Sequence, residues 1–88
     1  MVQKNINNRL NVDSEIKEKI IAVFQRVFET VEIEETVSQQ NFPKWDSLNH
    51  LNLVVELEDE FDVSFEPEEI VELKNLQIIK DVIINKLQ

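Results

Sequence analysis

The chain contains no glycine, and its only prolines are Pro43 and Pro67. Glycine supplies left-handed turn conformations at little steric cost, and the two-residue hairpin turns depend on it. A chain without it has few ways to build a β-meander, whereas helix interiors are better off lacking it. The expected fold is therefore all-α, with boundaries near the two prolines. Eighty-eight residues suit one domain, 1–88, with a thin core.

Apolar spacing places the helices. Ile16, Ile20, Val23 or Phe24, Val27 and Phe28 recur at three- and four-residue steps, which predicts a first helix at about 12–29, capped by Asn11 or Asp13. Residues 1–11 then form a flexible N-terminal extension. From Thr30 to Trp45 periodicity lapses, which predicts a long loop that Val31, Ile33, Val37, Phe42 and Trp45 could pin. A second helix starts at Asp46 or Ser47, either of which can cap it, and ends near Asp62. Its apolar arc is Leu48, Leu51, Val54, Val55, Leu57 and Phe61, opposite Asn49, Asn52, Glu56, Asp59 and Glu60. Pro67 and the acids around it predict a short third helix over 66–72. Asn75 or a residue near it opens a last helix through Leu76, Ile79, Val82, Ile83 and Leu87. The architecture is a four-helix bundle with a short third helix and a long loop between helices one and two.

Charge narrows the function. Eighteen acids face nine bases, for a net charge of −9. Ten of the acids lie between residues 46 and 73, a stretch without lysine or arginine, so a partner that docks there should be basic and nucleic acid is excluded. A purely solvated acidic face is the plainer reading of such a run. The absence of cysteine removes disulfides and thiolate metal sites. No stretch approaches the roughly 20 apolar residues of a membrane span, and the polar opening lacks a signal-peptide core. A soluble, cytoplasmic monomer is expected.

Enzymatic readings find little support. Ser47 and His50 are three apart on a helix, but an open helix end without a glycine loop offers a nucleophile neither an oriented base nor an oxyanion site. One histidine and no cysteine leave only carboxylates for a metal. Ser47 taken alone is a helix cap.

The segment around the serine is more specific. Asp46-Ser47-Leu48, continuing through Val54-Val55-Glu56-Leu57-Glu58-Asp59-Glu60-Phe61, resembles the modification segment of acyl carrier proteins. The resemblance extends over nearly the whole chain in length, acidity and helix order. It implies a non-catalytic carrier in which a phosphopantetheinyl transferase esterifies Ser47 with 4′-phosphopantetheine from coenzyme A, so the arm carries acyl groups as thioesters and the chain is a phosphoprotein. It also implies recognition by basic docking patches on that transferase and on acyl-activating, acyltransferase or ketosynthase enzymes. The residues concerned are Asp46, Leu48, Glu58 and Asp59, with Val55 as the apolar contact, and both Glu58 and Asp59 should be exposed. Leu57, Phe65, Ile70 and Leu73 are core positions that could touch a cargo chain. The pathway could be fatty acid, polyketide or other specialised synthesis. Housekeeping fatty-acid carriers typically have acids at the positions of Asn49 and Asn52 and a glycine near that of Trp45, and peptidyl carriers have paired glycines before the serine. This chain therefore looks more like a specialised-pathway carrier. The rival reading is an acidic helical adaptor that binds a basic protein partner without a prosthetic group.

Overall fold

The computed structural model describes the backbone of residues 2–88 and the side chains from residue 14 onward. Four helices succeed one another: α1 (Val2–Phe28), α2 (Ser47–Phe61), α3 (Pro67–Glu72) and α4 (Leu76–Leu87). No strand forms among the described residues, and residues 63–66 are loop; an isolated bridge joins Ser38 to Asn75. The all-α bundle with a short third helix and a long first connection is thus the observed architecture.

α1 begins at Val2, earlier than the spacing predicts. Asn11 and Asp13 therefore lie within the helix rather than at its start, because the helical backbone runs on through a polar stretch that lacks apolar spacing. The expectation of a flexible extension at 1–11 falls on side chains outside the described residues.

The core is the apolar stripe of α1 laid against α2 and α4. Ile16, Ile20, Val23, Phe24 and Phe28 are buried, facing Leu53, Val54, Leu57 and Phe61 of α2 and Leu76, Ile79 and Ile83 of α4. Each fully buried Leu, Ile or Phe contributes roughly 1.5–3 kcal/mol of transfer free energy, which a thin core cannot spare. The expected arc on α2 splits in two: Leu53, not foreseen, is buried, whereas Leu48, Leu51 and Val55 face outward. On a wheel of 100° per residue the two groups centre about 140° apart, too wide for one buried stripe.

The long loop is pinned by four of its five apolar residues. Val37 and Trp45 are buried, and Ile33 and Phe42 pack against the core, but Val31 is 86% exposed and its side chain stays outside the core. Trp45 meets Phe24 edge-on at 5.1 Å between ring centroids, and Phe42 meets Phe28 in the same way at 5.1 Å. Such aromatic pairs add about 0.5–1.5 kcal/mol each beyond their buried area. Backbone bonds from Gln39 N–H to the Lys74 carbonyl (3.0 Å) and from Leu76 N–H to the Val37 carbonyl (3.3 Å) tie the loop to the α3–α4 junction.

Without glycine, two helix ends still need a left-handed residue. Glu29 (φ 53°) comes after α1 and Asp62 (φ 54°) after α2. The Asp62 N–H returns to the Glu58 carbonyl, which closes the last turn of α2.

Candidate functional site

The N-terminus of α2 is the structural centre of the motif. Asp46 is the cap: its backbone is extended and its Oδ1 accepts the Asn49 N–H at 2.9 Å. Ser47 is therefore the first helical residue rather than the cap, and its side chain is exposed. The first N–H groups of a helix have no intrahelical acceptor. Asp46 satisfies that of Asn49, which leaves those of Ser47 and Leu48 at the positive end of the helix dipole.

The residues after Ser47 form an exposed apolar row. Leu48 is 70% exposed, Leu51 57% and Val55 61%, and steps of three and four place them on one face. Leu48 and Val55 stand exposed, as the expected partner contacts require. Leu51, expected on the buried arc, joins them.

The carboxylates are less uniform than the sequence suggests. Asp59 is exposed, but Glu58 is half-buried, and its Oε2 accepts the Phe65 N–H at 2.9 Å. The expectation that both are exposed fails for Glu58, because the turn after α2 needs an acceptor for that part-buried donor. Glu56 and Glu60 meet Arg26 of α1 at 3.1 and 3.8 Å. Glu69 pairs with Lys86 at 2.8 Å; that hydrogen bond, with the backbone at Glu66, holds its carboxyl below the usual range. The free acidic edge is thus narrower than the run from 46 to 73.

Asn49 also has a structural occupation. Its Nδ2 donates to the Lys44 carbonyl at 2.9 Å, a bond that a carboxylate could not make, and Asn52 donates to Asn49 Oδ1 at 3.3 Å. Asn49 thereby fastens the loop end to the start of α2.

Behind Ser47 lies a groove lined by Gln39, Trp45, Asp46, Ser47, His50 and Leu51. Trp45 forms its floor, only 4% exposed, so the tryptophan is a core residue and not a projecting contact. His50 is a junction among loop, α2 and α3. Trp45 Nε1–H donates to His50 Nδ1 at 2.9 Å, and Gln39 Nε2 lies 3.2 Å from the same atom. The other ring nitrogen, Nε2, lies 2.8 Å from the Ile70 carbonyl. An indole nitrogen can only donate, so Nδ1 is the acceptor and Nε2 carries the ring proton.

Of the expected cargo contacts, Leu57, Phe65 and Leu73 are buried in the core and Ile70 packs against it from α3. Among the described residues no cluster of side chains could hold a metal ion, and no helix is long and apolar enough to cross a membrane.

No protein-family model matches the chain. Its sequence is 43% identical over 54 residues to an acyl carrier protein homolog of Mycoplasma pneumoniae, covering 58% of this chain and 64% of that protein. The chain thus spans somewhat less than two thirds of that relative's length. Its structure is similar to the solution structure of a holo acyl carrier protein from Geobacter metallireducens, with a TM-score of 0.73 and 32% identity over 81% of this chain and 84% of the other. A candidate acyl carrier protein of Mycobacterium tuberculosis gives a TM-score of 0.72 at 27% identity, covering 78% of this chain and 95% of that one.

Proposed function

The chain belongs to the acyl carrier protein family, and from that premise we propose that it carries acyl groups as thioesters on a 4′-phosphopantetheine arm attached to Ser47. Members of this family are carriers rather than catalysts. The observation that carries the reading is the exposed hydroxyl of Ser47 at the first position of α2, with Asp46 already serving as cap. Its side chain has no structural duty at the helix start, and a phosphodiester formed there meets backbone donors and the positive helix end. When attached, the arm supplies the thiol that forms the thioester; Ser47 supplies the anchoring oxygen, and the first turn of α2 holds the phosphate.

Partners recognise the carrier through a mixed edge. Leu48, Leu51 and Val55 offer apolar contact, and Asp46 and Asp59 offer charge to basic patches on a phosphopantetheinyl transferase and on acyl-activating, acyltransferase or ketosynthase enzymes. Glu58 belongs to this edge only through its second oxygen, since Oε2 is taken by Phe65. Exposed charges of this kind steer encounter and weaken as salt rises, which suits a carrier that must leave each partner quickly. Leu57, Phe65 and Leu73 in the core, and Ile70 packed on it, are the side chains that a short acyl chain tucked between α2 and α3 would meet. Asn49, Asn52 and Trp45 favour a specialised pathway over housekeeping fatty-acid synthesis.

Because the chain has no cysteine, a thiol titration reads the arm alone. Incubation with coenzyme A, magnesium and a phosphopantetheinyl transferase, followed by removal of coenzyme A, should leave about one titratable thiol per chain. A chain that gains no thiol with several transferases, yet still binds a basic partner, is an adaptor and not a carrier.

A further inference from the structure

His50 lines the groove behind Ser47 together with Asp46. His50 Nδ1 has one lone pair in the ring plane, and it receives the Trp45 Nε1–H at 2.9 Å with the Gln39 amide nitrogen at 3.2 Å. Trp45 and His50 also stack, with ring centroids 6.1 Å apart and planes tilted by 28°. Nε2–H faces the Ile70 carbonyl at 2.8 Å.

We propose that His50 is a proton-sensitive latch: when neutral it accepts the side-chain donors of Trp45 and Gln39, and when protonated at Nδ1 it lets both donors go. The chemistry is one-sided. A proton added at Nδ1 replaces the acceptor with a donor, so Trp45 Nε1–H and Gln39 Nε2 both lose their partner at that atom. Nε2–H keeps the Ile70 carbonyl, so α2 and α3 stay joined while the loop side lets go. A buried indole donor without an acceptor is unfavourable, and the ring of Trp45 must turn to find another. The groove lined by Gln39, Trp45, Asp46, Ser47, His50 and Leu51 changes shape with it.

From the loop the facing groups, Gln39 and Trp45, are uncharged. Beside α2 the charged residue lining the groove is Asp46, whose carboxylate is held by the Asn49 N–H. From α3 the contact is a backbone carbonyl; Glu69 of that helix is engaged with Lys86 and with the Glu66 N–H. Since neutral His50 makes the bonds and the protonated form breaks them, the junction is intact at high pH and opens on acidification.

The chain has one histidine and one tryptophan, so both reporters are unambiguous. The unmodified chain is titrated from pH 8 to pH 5, with NMR following the His50 ring nitrogens and the Trp45 indole N–H, alongside Trp45 fluorescence. The expected result is that Nδ1 protonates and the indole resonance and fluorescence change with the same midpoint, while backbone signals of α4 hold still. In His50→Gln, which cannot titrate, the response of Trp45 should vanish over that range. An imidazole that stays neutral to pH 5, one that protonates without moving Trp45, or a Trp45 response that persists in the His50→Gln chain would overturn the proposal.

Discussion

At the scale of single residues, Asp46 and Ser47 divide two roles that the sequence leaves merged. Either residue could cap a helix, and only the structure assigns the cap to Asp46. The division is measurable in stability. Asp46→Ala should cost about 0.5–2 kcal/mol, the usual loss for a cap, whereas Ser47→Ala should stay within about 0.5 kcal/mol of the parent in urea unfolding. Equal losses would return the serine to a structural role. His50 shows the limit of sequence reading most clearly. Three-residue spacing places it near Ser47, but nothing in the spacing says that its ring joins Gln39, Trp45 and Ile70, since two of those partners lie 11 and 20 residues away in sequence. Glu58 was equally hidden, because its bond to the Phe65 N–H depends on how the chain leaves α2.

At the scale of elements, helix order, the Pro67 start of α3 and a start of α4 near Asn75 were legible, because proline and asparagine act within one turn of where they stand. The inward face of α2 was not, since an apolar arc tells which residues avoid water in general and not which find a neighbour. Leu48, Leu51 and Val55 stay exposed to solvent. Glu58 and Asp59, further along the same helix, should behave differently under charge reversal. Asp59→Lys should leave the fold intact and slow transfer of the arm several-fold at low salt, whereas Glu58→Lys should lower the melting temperature by leaving the Phe65 N–H without its acceptor. Circular dichroism and the initial rate of modification separate the two. Helix ends carry a further consequence of a glycine-free chain. Glu29 holds φ 53°, a conformation that costs a residue with a side chain roughly 1–2 kcal/mol, while glycine adds about 0.4–1 kcal/mol of unfolded-chain entropy. Glu29→Gly should therefore stabilise the chain by about 0.5–1 kcal/mol, and a loss in thermal unfolding would show that the Glu29 side chain matters more than its backbone.

At the scale of the whole molecule, a net charge of −9 on a small domain means that self-repulsion works against folding. The cross-helix ion pairs of Arg26 with Glu56 and of Lys86 with Glu69 are exposed or half-exposed, so they offset little of it. Raising sodium chloride from low to about 0.5 M should therefore raise the melting temperature, since screening relieves more repulsion than it removes attraction; a fall would mean that the ion pairs dominate. The same charge gives the molecule an acidic edge beside an exposed serine, the proposed attachment point of the arm. Intact mass spectrometry reads that claim most directly. After incubation with coenzyme A and a phosphopantetheinyl transferase, the parent chain should gain the mass of one phosphopantetheinyl group and the folded Ser47→Ala chain none. A parent chain that gains nothing across several transferases, or a Ser47→Ala chain that gains as much as the parent, would contradict the attachment of an arm at Ser47.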